Sequence, residues 1–133
     1  MKRIIFVGLL AGAVMLVTNL VLNDIMNAAV PSLQAEYQNI AVFRPLSDPR
    51  MSLYYLYPFI IGIILALIWE RTEGFYLPWL RFAFFAWLVI SVPRMLITYS
   101  VLQVSHLMVL SWLANGLVDL LAAGWIYHKL LRR

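Results

Sequence analysis

The fold of this chain is indicated most clearly by residues 75–127, which read FYLPWLRFAFFAWLVISVPRMLITYSVLQVSHLMVLSWLANGLVDLLAAGWIY. A helix needs about 20 mainly apolar residues to cross about 30 Å of hydrocarbon. The stretch is too long for one such helix, and its polar segment from Ser100 to His106 indicates a break between two. Residues from about 77 to 99 and from about 106 to 128 are therefore predicted to form two antiparallel membrane-spanning helices.

Two further apolar runs precede this stretch, at about residues 4–26 and 52–70. The first follows Lys2 and Arg3, which is also typical of a secretory signal peptide. It is longer than the usual h-region of about 7–15 residues and no small-residue cleavage pattern follows it, so we interpret it as a helix. We predict one domain, residues 1–133, with an all-α fold: an integral membrane protein built as a bundle of four transmembrane helices.

The composition agrees with this class of protein. The 133 residues are 64% hydrophobic and 12% charged, with a mean hydropathy of +0.87, whereas a soluble domain is about 45–50% apolar and about 25% charged. The absence of cysteine excludes a disulfide framework, a thiol redox centre and a thiolate metal site. The net charge of +4 comes from few and mostly terminal basic residues, so nucleic acid is not expected as a partner.

The distribution of lysine and arginine predicts the orientation. With four spans, both termini and the turn at residues 70–76 share one side, which carries seven Lys or Arg against three on the other. The positive-inside rule then places both termini in the cytoplasm, and we expect a multi-pass protein of a prokaryotic cytoplasmic (inner) membrane. The predicted interfacial aromatic residues are Trp69, Tyr76, Trp79, Trp125 and Tyr127 on the cytoplasmic side, and Tyr54, Tyr55, Tyr57 and Tyr99 on the other.

The one long connection, about residues 27–51, is then extracytoplasmic. It contains three prolines, each of which biases the preceding residue away from helix. The part from Pro31 to Val42 is predicted to form a short interfacial helix, and residues 43–50 a stiff turn whose charges pair locally. We interpret the connection as a cap on the bundle; the alternative is a lid over a binding site.

Small residues predict where the helices approach closely. Gly8 and Gly12 form a G-x-x-x-G motif on the first helix, and Gly62 lies on a row of small residues on the second. Packing against a neighbour within the chain is the favoured interpretation of the G-x-x-x-G motif, and self-dimerisation is the alternative.

Polar residues inside the spans predict a buried cluster. Asp119 lies well inside the fourth span, where an ionised aspartate costs about 2.5–3.5 kcal/mol, so it must be paired, hydrogen-bonded or protonated. The candidate ligand- or ion-binding residues are Asn19, Asn23, Ser91, Arg94, Ser111, Trp112, Asn115 and Asp119. An equally weighted alternative is that this cluster only fixes helix order and register.

The pairing of Arg94 with Asp119 depends on the turn between the last two helices. A turn near Gln103 puts Asp119 about 10 Å deeper than Arg94, which is too far for a direct bond. A turn near Ser105 reduces the offset to about 4–5 Å, which an arginine spans. Asn115 lies between them in either case and could bridge them, and Arg94 is also predicted to stack on Trp112 as a cation–π pair.

The chemistry of the chain points away from an enzyme. His106 and His128 are about 33 Å apart on one helix, and no catalytic motif is present, so we predict no catalytic residues, no metal and no cofactor. The leading hypothesis is a non-enzymatic accessory subunit or a bundle that binds a lipid or small ligand. Its expected partners are membrane lipids, and a larger membrane protein or a second copy of the chain.

Two other functions stay open. The first alternative is a small transporter or channel subunit in which Asp119 binds a proton or cation and Arg94 tunes it. The second is an intramembrane enzyme that uses Asp119, Arg94 and Asn115 on a lipid-like substrate.

Overall fold

The computed structural model describes residues 1–72 and 78–131, and within these ranges the chain is helical and contains no strand. The five α-helices are α1 (Lys2–Ala29), α2 (Pro31–Tyr37), α3 (Ser52–Thr72), α4 (Trp79–Val101) and α5 (His106–Leu131). By length and composition, α1, α4, α5 and the segment Pro49–Thr72 can each cross a membrane. This is the predicted all-α bundle of four membrane-spanning helices. Residues 73–77, 132 and 133 lie outside these ranges, and they include the predicted interfacial Tyr76 and two of the seven basic residues predicted on the cytoplasmic side.

Prolines define several helix ends. Pro31 starts α2, where its missing N–H is one that a first helical turn leaves free. The predicted interfacial helix is shorter than expected, because it ends at Tyr37 rather than Val42. Pro49 starts a short 3-10 helix, Pro49–Met51, that leads into α3. Pro78 precedes α4 as its N-cap, and its carbonyl accepts the amide of Phe82.

The long helices pack side by side in the order α3, α1, α5, α4. We call the end of the bundle that carries the chain termini the terminal face, and the end that carries α2, residues 38–51 and the α4–α5 turn the loop face. Helices α3 and α4 are the two outer members of this row. Their rings meet toward the terminal face, where Trp69 and Phe82 pack edge to face with centroids 5.0 Å apart.

Glycine brings α1 and α3 into backbone contact. A Cβ added at Gly12 would lie 2.6 Å from the Cα of Phe59, and one at Gly62 would lie 2.3 Å from the carbonyl oxygen of Gly8. Any side chain larger than hydrogen would therefore push the two helices apart. The G-x-x-x-G motif thus packs against a neighbour within the chain, as the favoured interpretation predicted.

Two aromatic residues predicted at a membrane interface are instead buried in the bundle near the terminal face. Tyr127 is fully buried and its hydroxyl donates to the carbonyl of Gly62 at 2.9 Å. Trp69 is 5% exposed and packs on Phe82. These rings face neighbouring helices because the core on this side needs large apolar volume. By contrast, Trp125 is half exposed, as an interfacial residue would be.

Candidate functional site

A roof covers the bundle at the loop face. Leu33 of α2 is buried, and the rings of Tyr37, Phe43 and Trp112 contact one another with centroids 5.3–6.2 Å apart. The indole N–H of Trp112 donates to the Tyr37 hydroxyl. Burial raises the pKa of Tyr37, so this hydroxyl keeps its own proton as a further donor.

The second half of the roof is a charged turn. Arg44 pairs with Asp48 at 3.0 Å, which is the local pairing that the sequence predicted for residues 43–50. The Asp48 carboxylate also accepts the backbone N–H of Arg50 at 2.8 Å. That N–H, together with the Arg44 guanidinium, lowers the pKa of Asp48. The turn keeps this support at neutral pH and loses it as the pH falls through the lowered pKa.

Beneath the roof lies a partly open cavity of about 890 Å³. Polar side chains converge on it from α1, α3, α4 and α5, while apolar groups of the roof and helices complete the wall. Six of the eight predicted site residues line it: Asn19, Asn23, Arg94, Trp112, Asn115 and Asp119. The loop therefore does more than cap the bundle, because it also forms part of the cavity wall.

The remaining two predicted residues do not line this cavity. Ser91 is buried between α4 and α5, where a Cβ added at Gly116 would lie 3.0 Å from its hydroxyl. Ser111 is buried and donates to the carbonyl of Met108 within its own helix, at 2.8 Å. Both serines share a helical face with cavity residues, but they serve helix packing because they lie against neighbouring backbone.

A hydrogen-bonded chain connects three helices at the bottom of the cavity. The Tyr54 hydroxyl of α3 donates to Asn19 Oδ1 of α1 at 2.6 Å. Asn19 Nδ2 then donates to Asp119 Oδ2 of α5 at 3.2 Å. Asp119 is 6% exposed, and its other oxygen, Oδ1, is buried without a hydrogen-bond partner. The site therefore presents one satisfied and one unsatisfied carboxylate oxygen.

The predicted cation–π pair of Arg94 with Trp112 is not found in the part of the chain that the structure describes. The Arg94 guanidinium lies over the ring of Tyr57, 5.9 Å from the centroid, and not over Trp112, whose indole is engaged by the roof. Among the described residues, Arg94 and Asp119 form no ion pair.

The helix register explains the missing ion pair. A Cβ added at Gly124 would lie 3.2 Å from that of Ala83, and Gly116 lies against Ser91, so Arg94 is level with residue 113. Asp119 is six residues further along α5, about 9 Å at 1.5 Å per residue. The wider of the two predicted offsets is the one found, because the helices are joined by residues 102–105.

Sequence reasoning missed the tyrosines of α3 and most of the roof. Tyr54 and Tyr57 were assigned to the membrane interface, yet both line the cavity. Their spacing of three places them on one helical face, and it is a signal that could have found them. The roof residues Gln34, Gln38 and Phe43 carry no such periodic signal, since their position depends on how the loop folds back.

The arrangement brings together groups that can bind a ligand. In residues 1–72 and 78–131, no group of three or more His, Cys, Asp or Glu could hold a metal ion. What the cavity offers is one carboxylate, one guanidinium, several amides and hydroxyls, and aromatic walls. In comparisons with known proteins, the chain matches no family model, no curated protein and no solved structure.

Proposed function

We propose that this protein is a non-enzymatic membrane protein that binds the headgroup of a membrane lipid in the loop-face cavity. The observation that carries the proposal is the cavity itself, in which polar groups of four spanning helices meet under a roof made by one loop. A cluster that only fixed helix register would be filled by packed side chains, since protein interiors leave few voids larger than a water molecule. A volume of about 890 Å³ is in the range of ligand sites.

The outer helices α3 and α4 supply a lateral route for a lipid. At the loop-face end of this seam, Arg94 of α4 reaches Tyr57 of α3, and both line the cavity. Toward the terminal face the same helical faces continue with apolar residues, Ile61 and Ile64 on α3 and Ile90 on α4. A headgroup can therefore enter the polar cavity while its acyl chains stay along an apolar seam in the bilayer.

Filling the cavity should remove the lipid. Asn23 is half-buried and lines the cavity, whereas Ile25 lies two residues away on α1 and is 56% exposed. The full chain in maltoside is incubated with equal amounts of dioleoyl phosphatidylethanolamine, phosphatidylglycerol and phosphatidylcholine, and bound lipid is counted by native mass spectrometry. We expect Asn23→Phe to lower occupancy about tenfold, on the order of 1.4 kcal/mol, and Ile25→Phe to leave it unchanged. Equal occupancy in the two variants, or none in the wild type, would refute lipid binding in the cavity.

A second function, proton or cation transport, is favoured by the unsatisfied Oδ1 of Asp119. The ionisable groups that line the cavity with it from α3 and α4 are Tyr54, Tyr55, Tyr57 and Arg94. A carrier of this kind would acidify liposomes loaded with a pH-sensitive dye when a proton gradient is applied. Asp119→Asn should abolish that flux, and Asp24→Asn, on the exposed end of α1, should retain it. A wild-type protein without flux would exclude this function.

We also propose that the terminal face is cytoplasmic and that the protein resides in a prokaryotic cytoplasmic membrane. The supporting observation is the charge of the two faces. The exposed Lys2, Arg3, Arg71 and Lys129 are all at the terminal face. In the loop over the other face, Arg44 and Arg50 are the exposed basic residues, so that face has fewer of them. The headgroup cavity then opens in the outer leaflet.

A further inference from the structure

The carboxylate of Asp119 lacks a cationic partner. One oxygen accepts a single amide hydrogen from Asn19, and the other is buried without a donor. A buried carboxylate is stabilised by a positive charge or by several donors, and one neutral amide is not enough. A ligand ammonium would supply both the charge and the N–H donors that Oδ1 lacks.

Arg94 is the complementary group. Two arginines line the cavity, and Arg44 already pairs with Asp48 in the roof. Within the described residues, Arg94 has no carboxylate within 4 Å, and its contact is the face of the Tyr57 ring. A guanidinium held on an aromatic ring keeps its N–H donors free at the edge, where they match the oxygens of a phosphate.

The two charges stand apart in a way that requires a ligand with two charged ends. Their positions are offset by about 9 Å along the helices. Side chains in helices lean toward the helix N-terminus, so Arg94 on α4 leans away from the loop face and Asp119 on α5 leans toward it. Both side chains line the cavity and form no ion pair with each other, so a zwitterion in the cavity can contact each of them with one charged end.

We infer that the headgroup is phosphoethanolamine, with its ammonium on the Asp119 carboxylate and its phosphate on Arg94, both of which line the cavity. The inference rests on the proposed function and adds the class of lipid. Phosphatidylglycerol offers a phosphate but no cation for Asp119. Phosphatidylcholine offers a cation without N–H groups, so it cannot donate to Oδ1. The lipid source, rather than a soluble zwitterion, follows from the apolar seam between α3 and α4.

The test measures headgroup preference in the full chain. Dioleoyl phosphatidylethanolamine, phosphatidylglycerol and phosphatidylcholine are titrated separately in maltoside and followed by native mass spectrometry. We expect phosphatidylethanolamine to bind about tenfold more tightly than either of the others. Asp119→Asn is nearly isosteric and should abolish this preference. Arg94→Gln should weaken all three lipids by a similar factor, because all carry the phosphate.

Matched controls remove the same charges from the loop face outside the cavity. Asp24→Asn and Arg50→Gln should leave both affinity and preference unchanged. The inference is wrong if the wild type shows no headgroup preference, or if Asp119→Asn keeps that preference. If Asn23→Phe still expels lipid in such a case, the proposed function stands without the inference. Competition by soluble glycerophosphoethanolamine for the lipid site is measured last. If this compound displaces the lipid at equal concentration, a lipid source is refuted, whereas weak competition supports one.

Discussion

At the residue scale, two kinds of position matter most: glycines that let helices touch, and polar side chains that hydrogen-bond to one another inside the bundle. Gly8, Gly12 and Gly62 let two backbones touch, which matters in a membrane because close packing replaces the hydrophobic effect between helices. Asn19 links Tyr54 to Asp119 across three helices. The first set holds the half of the bundle near the terminal face, and the second shapes the cavity near the loop face.

Gly62→Ala tests the backbone contact. The added Cβ would lie 2.3 Å from the Gly8 carbonyl oxygen, so α1 and α3 must separate. We expect the free energy of unfolding in detergent to fall by about 1–3 kcal/mol, measured by denaturant titration with circular dichroism. Gly116→Ala is the control, because the nearest atom to its Cβ is the rotatable hydroxyl oxygen of Ser91 at 3.0 Å, its other neighbours lie at 3.6 Å or more, and alanine favours helix. Equal losses in the two variants would show that the α1–α3 contact has no special role.

At the scale of elements, α2 and residues 38–51 behave as one cover over the cavity, and together with Trp112 they make up the roof. One side chain ties this cover to the α4–α5 turn, because Glu36 Oε2 accepts the backbone N–H of Ser105 at 3.1 Å. The rings of Tyr37 and Phe43 pack on Trp112 of α5. The cover is therefore held by a few contacts at its edge, and its opening is a local event separate from unfolding of the long helices.

Glu36→Ala should loosen the cover alone. Loss of one hydrogen bond, about 0.5–1.5 kcal/mol, predicts amide exchange in residues 32–46 about threefold to tenfold faster, with residues 8–15 of α1 unchanged. Hydrogen–deuterium exchange with mass spectrometry makes the measurement. Ser32→Ala, at an exposed position of the same helix, should exchange like the wild type. A uniform increase along the whole chain would contradict a separately opening cover.

At the scale of the whole molecule, the bundle is a row of helices whose two outer members, α3 and α4, meet through side chains. Helix α1 lies between α3 and α5, and α4 packs on α5. This order leaves α3 and α4 facing one another across the cavity. Many large apolar side chains point outward, among them Val89, Leu96 and Ile97 of α4, each at least 65% exposed, as expected of a surface that meets acyl chains.

The proposed orientation has a direct test, because the chain contains no cysteine of its own. Ser47 is exposed in the roof and Lys2 is exposed at the terminal face. With a membrane-impermeant maleimide, Ser47→Cys should be labelled in intact bacterial cells, and Lys2→Cys only after permeabilisation. The seven-to-three charge bias becomes six to three in the second variant, so its topology should persist. The opposite labelling pattern would show that the terminal face is extracytoplasmic and that the proposed orientation is wrong.

The class of fold and part of the candidate site can be predicted from local patterns in the amino-acid sequence. Long apolar runs predict the four helices because each must satisfy its own backbone hydrogen bonds in hydrocarbon. Polar residues within those runs predict part of the cavity lining, since Asn19, Asn23, Asn115 and Asp119 avoid lipid by facing inward. The G-x-x-x-G motif predicts a close helix–helix contact because glycine has no side chain to hold two backbones apart.

Which polar groups contact one another depends on how the helices and the loop pack together. Sequence spacing left open whether Arg94 reaches Asp119, because a shift of the α4–α5 turn by two residues changes the offset by several ångströms. The order of the helices placed Tyr57 beneath Arg94 and Asn19 beside Asp119. The cavity also needed the loop to fold back over the bundle, and that depends on contacts between residues distant in sequence, which no local pattern records.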